Sequence, residues 1–155
     1  MKKLLIMAFV PLVVLFLAAP SAKADEVERG TIFAAVYGGL YANDEVHFGL
    51  GGSIEYFYTE RYGFQGELNL ILSDPSVFGV IGSFVYNIPV DIEKIAPYAT
   101  GGLSYWVNGD GVLKLNFGGG IRYQMSDSTR LKFDLTVFVR EGTRVRLVGG
   151  VVWAF

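Results

Sequence analysis

The chain of 155 residues has no cysteine, only 5 prolines, and charged side chains at just 18% of its positions. The missing cysteines exclude a disulfide framework, a thiol nucleophile, a cysteine-ligated zinc or iron–sulfur site and a lipidated N-terminal cysteine. Basic residues are not in excess: 13 Lys+Arg stand against 15 Asp+Glu. The polycationic stripe that tracks phosphates is therefore absent, and no nucleic-acid partner is expected. After the first twenty residues no apolar run is long enough to cross a bilayer as a helix, because Gly or a polar residue interrupts every few positions. Glycine, with 20 residues, and phenylalanine and tyrosine, with 12 and 9, are plentiful. That mixture shows neither the period of collagen nor the proline content of disorder. The length accommodates one domain.

The N-terminus is an address. Met1-Lys2-Lys3 is a basic start, Leu4 to Leu17 an apolar run, and Ala22-Lys23-Ala24 a small-x-small cleavage site. Residues 1–24 are expected to be a secretory signal peptide removed before Asp25, leaving a domain over 25–155. An uncleaved anchor is the alternative, which Pro11 and the cleavage site oppose.

Beyond Asp25 the hydrophobic period is two, the repeat of a β-strand with unlike faces. On Val46 to Tyr58 one face reads Val46, Phe48, Leu50, Gly52, Ile54, Tyr56 and Tyr58, and the other His47, Gly49, Gly51, Ser53, Glu55 and Phe57. Tyr62 to Ser73, Leu113 to Met125, Arg130 to Arg140 and Arg144 to Phe155 split the same way. Thr31 to Tyr41, Val77 to Ile88 and Ala96 to Val107 have strand composition, but small or apolar residues on both faces leave their facing open. Seven short turn-forming segments join the eight runs in an up-and-down meander. At about 11 to 13 residues, each run is long enough for a tilted strand to cross a bilayer.

Alternation alone does not say which face is outside. Glycine on the polar faces (Gly49, Gly51, Gly118, Gly120, Gly150) suits a crowded interior. Tyr56, Tyr58, Tyr62, Phe64, Tyr86, Tyr123, Trp153 and Phe155 fall near one set of strand ends, as in a headgroup girdle. The apolar faces carry almost no charge and would aggregate in water. The expected fold is therefore all-β: an eight-stranded antiparallel up-and-down transmembrane barrel preceded by a cleaved signal peptide. A soluble β-sandwich is the reading these features oppose.

The chain closes on Gly150-Val151-Val152-Trp153-Ala154-Phe155. With Phe155 last, Trp153 two before it and Gly150 five before it, this resembles the C-terminal signal that the barrel-assembly machinery reads in bacterial outer-membrane proteins. Val148 stands where that signal commonly has a polar residue. With the signal peptide and eight amphipathic strands, the domain resembles the small outer-membrane β-barrels typified by the membrane domain of outer membrane protein A and by the OmpX/Ail type. The resemblance implies a Gram-negative outer membrane, periplasmic termini, and contacts with outer-membrane lipid, lipopolysaccharide and the assembly machinery. A monomer is expected. It also places Ala42–Glu45, Ser73–Ser76, Asn108–Gly111 and Glu141–Thr143 outward, and these are too short for the loop-borne recognition of adhesins.

Inside such a barrel, Glu55, Glu67 and Asp134 are expected to face Arg122, Arg130 and Lys132 as a charge network that plugs the lumen. Lys114, Arg140, Arg144 and Arg146, beside Asp110 and Glu141, are expected to form a cationic set near the outer rim, either paired and solvated or against lipopolysaccharide phosphates. The one histidine, His47, precedes Phe48-Gly49 and lacks the His-x-Ser pair of lipid A deacylases; Ser53 is about 20 Å away along a strand. Gly118-Gly119-Gly120 lies mid-strand with no helix to complete a phosphate loop. No catalytic group, metal or cofactor is expected. The reading is a non-enzymatic envelope barrel; a periplasmic lipocalin-like carrier of a small apolar ligand and a narrow outer-membrane channel are the alternatives.

Overall fold

The structure, a computed structural model, describes residues 27–90, 92–107, 111–140 and 142–155. The expected signal peptide and its cleavage site lie outside the described residues. Eight strands follow one another: β1 (Ile32–Ala42), β2 (Val46–Phe57), β3 (Tyr62–Leu72), β4 (Val77–Asn87), β5 (Ile95–Val107), β6 (Val112–Gln124), β7 (Thr129–Val139) and β8 (Thr143–Ala154). Each pairs antiparallel with the next, and β1 pairs with β8, so the sheet closes into a barrel. Every boundary falls within one residue of the run read from the sequence.

The alternation is realised as outside and inside. Along β3, Tyr62, Phe64, Leu68, Leu70 and Leu72 are exposed while Gln65, Glu67, Asn69 and Ile71 are buried. The three strands of ambiguous facing are settled by the ring. In β1, Ile32, Val36 and Leu40 point out and Phe33, Tyr37 and Tyr41 point in. In β4, Phe78, Val80 and Phe84 are outside and Ile81, Ser83 and Val85 inside. In β5, Leu103, Tyr105 and Val107 are outside and Tyr98, Ser104 and Trp106 inside.

Following lateral partners once around the barrel gives its geometry. From Ile32 the ladder passes through Tyr56, Phe64, Phe84, Gly101, Phe117, Val137 and Val145 and returns to β1 at Ala42, ten residues along. A stagger of ten residues at about 3.3 Å, set against eight strands about 4.8 Å apart, tilts the strands by about 40° and gives a backbone radius of about 8 Å. An 11-residue strand at that tilt rises about 27 Å, close to the thickness of a bilayer's hydrocarbon core.

A radius this small crowds the interior, and glycine relieves it. A Cβ on Gly102 would lie 2.0 Å from the Gly82 carbonyl oxygen, so β4 and β5 approach this closely only without one. The Tyr37 ring lies against Gly51 and the Trp106 ring against Gly79, where an added Cβ would meet ring carbons at 2.4 and 2.5 Å.

The two rims differ. The terminal rim carries the start of β1 and the end of β8, tied by Phe155 N–H to Ile32 O (2.9 Å) and Ile32 N–H to Phe155 O (3.2 Å), together with the β2–β3, β4–β5 and β6–β7 connections. The far rim carries the β1–β2, β3–β4, β5–β6 and β7–β8 connections. In the last of these Gly142 adopts φ +104°, a left-handed conformation that glycine takes without steric cost. The expected aromatic band is at the terminal rim: Tyr58 stacks on Tyr62 (6.3 Å) and Phe64 (5.6 Å), and Tyr62 lies beside Tyr86 (5.3 Å) and Phe84 (5.7 Å).

Candidate functional site in the barrel lumen

Inward-facing positions of β2, β3 and β6 to β8 bring two charge centres together. In the centre nearer the terminal rim, Glu55 is fully buried and ion-paired with Arg122. Its Oε1 also accepts from Lys132 Nζ at 2.9 Å and from Gln65 Nε2 at 3.2 Å. Arg122 donates through Nη1 to Asn87 Oδ1 (2.9 Å), and its guanidinium stands 4.1 Å from the Tyr98 ring centroid. A carboxylate withdrawn from water is tolerable here because cations and amide donors replace the lost hydration.

The second centre is built on Arg146. Its Nη1 donates to Glu67 Oε2 at 2.5 Å and its Nη2 to Glu67 Oε1 at 3.3 Å, a fork on a carboxylate. Nη2 also reaches Asp134 Oδ1 (3.0 Å) and Thr136 Oγ1 (2.9 Å). Tyrosine hydroxyls complete the shell: Tyr37 donates to Glu67 Oε2 (2.5 Å), Tyr98 to Asp134 Oδ2 (2.8 Å), and Tyr41 to Asn69 Oδ1 (2.6 Å). Glu55, Glu67 and Asp134 thus balance Arg122, Lys132 and Arg146 charge for charge, all buried.

Rings cover both ends of this polar interior. Toward the terminal rim Phe33 and Phe57 meet edge to face at 5.5 Å, with Val27, Val85 and Val152 in the same cluster. Toward the far rim Trp106 packs edge-on against Tyr41 (6.1 Å) and Phe138 (5.2 Å).

No protein-family model matches the chain, and no curated protein matches it in sequence. Solved structures do. The N-terminal β-barrel domain of Pseudomonas aeruginosa OprF is 18% identical with a TM-score of 0.70, over 83% of this chain and 100% of that one. A de novo designed transmembrane β-barrel is 17% identical, TM-score 0.62, over 84% and 99%. Ail, the attachment invasion locus protein of Yersinia pestis, is 12% identical, TM-score 0.59, over 83% and 100%. The fold is that of the small outer-membrane β-barrels.

In this small barrel the residues singled out from sequence divide. Glu55, Arg122 and Lys132 meet in one centre. Arg130 is buried too, its guanidinium 4.7 Å from the Phe33 ring centroid. Glu67 and Asp134, expected opposite Arg122, Arg130 and Lys132, are held by Arg146. That is a correction for Arg146, which was assigned to the outer rim. Two residues past Arg144 on a tilted strand, and with a long side chain, it reaches the middle of the lumen and is 1% exposed.

The rest of the rim set stays at the far rim. Arg140 is exposed and donates through Nη1 to the Leu113 carbonyl (3.0 Å), Lys114 is half-buried, and the Arg144 guanidinium stacks 5.0 Å from the Trp106 ring centroid. Asp110 and Glu141 lie outside the described residues. His47 is half-buried at this rim, its Nε2 3.7 Å from Glu45 Oε2. Ser53 is buried in the lumen, where β2 pairs it with Ala35.

At the other end Trp153 and Phe155 are exposed on the terminal rim. Gly150 lies against β1, where a Cβ would stand 2.2 Å from the Val36 carbonyl oxygen. Val148 is buried in the lumen. Sequence reasoning missed Tyr37, Tyr41 and Tyr98, which tie the carboxylates and Asn69 together. The pointer was present in β1, where one parity carries Phe33, Tyr37 and Tyr41 and the other Ile32, Val36 and Leu40: amphipathic rings opposite aliphatic chains.

Proposed function

We propose that the chain is an integral protein of a Gram-negative outer membrane, non-enzymatic, contributing to the envelope as a filled and closed barrel. One observation carries this reading: the apolar side chains are on the outside of a closed ring and the charges are sealed within. Phe64, Leu68, Ile54, Phe117 and Leu147 are more than half exposed, while Glu55, Arg122, Lys132 and Arg146 are almost wholly buried. Such a surface needs hydrocarbon around it, and a closed barrel leaves no unpaired strand edge in that medium. The contacts that follow are outer-membrane lipid along the belt, lipopolysaccharide at the outer rim, and the barrel-assembly machinery at Gly150, Trp153 and Phe155.

The ion-paired lumen weighs against a carrier of apolar ligands, which needs an apolar cavity. The ring clusters at both ends weigh against a channel. Density-gradient fractionation of cell membranes tests the reading directly. The protein should band with the outer membrane, and an unboiled sample folded in detergent should migrate differently from a boiled one. Recovery in the periplasmic soluble fraction after osmotic shock would reject it.

A further inference from the structure

Val27 and Phe155 both stand at the terminal rim and are placed oppositely. Phe155 is 79% exposed, whereas Val27 is 4% exposed and belongs to the apolar cluster of Phe33, Phe57, Val85 and Val152. A turn sends the valine inward: Thr31 N–H donates to the Glu28 carbonyl (3.2 Å), and Gly30 takes φ +91°, a left-handed conformation that favours glycine at the third position of a turn. The turn is pinned to β2, where Gly30 N–H donates to the Phe57 carbonyl (2.8 Å) and Phe57 N–H to the Thr31 carbonyl (3.0 Å). Of residues 27–30 only Val27 is buried.

Behind it lies the first charge centre. The Arg122 guanidinium stands 5.3 Å from the Phe33 ring centroid and 5.5 Å from that of Phe57, and Glu55 is the next inward position of β2 after Phe57. The apolar cluster therefore separates this centre from the mouth. Both of its rings come from one wall, β1 and β2, while half-way round the barrel β5 presents Ala96 at that end. Val27 fills space that this lopsided wall leaves. It takes no part in the barrel ladder, whose β1–β2 pairs begin at Ile32. Its own burial and the turn hold it, so it can leave without separating any strand from its neighbour.

We infer that Val27, carried on the Glu28–Thr31 turn, is a displaceable stopper of the terminal mouth. Seated, it completes the apolar layer and keeps water and ions from the charge centre of Glu55. Unseated, with Gly30 as the hinge, it opens that centre to the terminal side while all eight strands stay paired. Burial of one valine side chain favours the seated form by roughly tenfold, so the closed form dominates and the open one stays within reach of thermal motion. Trp106 and Phe138 still close the far end, so opening makes the lumen a blind pocket and not a channel. In the envelope reading this mouth faces the periplasm; the sealing itself does not depend on that reading.

The chain has no cysteine, so Val85→Cys places a single thiol in the cluster at a position that is 0% exposed. The barrel is folded in maltoside micelles, and the rate of modification by a small, charged methanethiosulfonate is followed by mass spectrometry. In this background the rate should be far below that of an exposed thiol. Val27→Gly should raise it about tenfold, and Val27→Ile should leave it low. Gly30→Ala, strained at positive φ, should raise it about fivefold. Gly102→Ala, which crowds β4 and β5 away from the mouth, should leave it unchanged, and Ile81→Cys, deeper than the charge centre, should stay unreactive with either residue at 27. If Val85→Cys does not give heat-shifted mobility, Val152→Cys, also 0% exposed in the cluster, takes its place. A folded Val27→Gly barrel that reacts at the parent rate would show that the rings seal the mouth alone. A parent that reacts like an exposed thiol, or a Gly102→Ala barrel that matches Val27→Gly, would equally overturn the stopper. None of these results bears on the envelope reading, which fractionation tests.

Discussion

Removing the cation at the centre of the lumen should cost more than any other single change there. Arg146→Met is close to isosteric for the stem but leaves Glu67 and Asp134 without the guanidinium that bonds both. Glu67 keeps the Tyr37 hydroxyl, and Asp134 keeps those of Tyr98 and Thr136. Hydroxyls orient a carboxylate without neutralising it. Breaking one buried pair by deleting a partner costs about 3–5 kcal/mol. Here both carboxylates lose that donor, each 4% exposed or less, and the lumen keeps one unbalanced negative charge, so the loss should reach the upper end of that range. Urea unfolding of the barrel in lipid vesicles, followed by tryptophan emission and by heat-shifted gel mobility, measures it. The double variant Arg146→Met, Glu67→Gln leaves Glu55 and Asp134 against Arg122 and Lys132, restores the balance, and should recover to within about 2 kcal/mol of the parent, since a buried pair is worth little over neutral groups of similar volume. A single variant that loses less than about 1 kcal/mol, or a double variant no better than the single, would refute the claim that charge balance in the lumen governs stability.

Three further outcomes follow from the geometry. Gly102→Ala, whose Cβ would press on the Gly82 carbonyl, should lower stability by about 1–3 kcal/mol in the same unfolding assay, as overpacking does. Gly66→Ala, with nothing within 4 Å on the outer face, should cost nothing measurable; equal effects would mean that the close approach of β4 and β5 is not a constraint. Leu68→Arg, in the middle of the outward face of β3, should cost about 2–4 kcal/mol in vesicles, and Leu72→Arg, at the end of that strand, about 1 kcal/mol or less. Deleting Phe155 should reduce outer-membrane yield in cells while leaving refolding into micelles intact, as measured by gradient fractionation beside an in vitro folding assay; matching losses in both would make the residue structural rather than a signal.

What could be read in the sequence was whatever depends on period two. Strand ends and the outward apolar face follow from local alternation, and β7 is the clearest case: Leu131, Phe133, Leu135 and Val137 face one way and Lys132, Asp134 and Thr136 the other. Facing was obscured in β1 and β5, where adjacent glycines (Gly38 and Gly39, Gly101 and Gly102) put a small residue on both parities. The pairing of lumen charges was only half legible. Glu55 could be matched with Arg122 because both sit near the terminal ends of their strands. Arg146 and Glu67, 79 residues apart, meet only once the ten-residue stagger of the closed ring is known, and no local pattern encodes that stagger.

The ring of Tyr37 occupies the space a side chain at position 51 would fill, and its hydroxyl reaches Glu67 on the strand beyond. Positions 37 and 51 therefore share one volume. A drifting sequence cannot enlarge residue 51 while keeping the tyrosine, and shrinking residue 37 leaves both a void and a carboxylate with one donor fewer. Among descendants of this barrel the two positions should change together, large opposite small in either order, and a third change at position 67 should accompany any loss of the tyrosine hydroxyl.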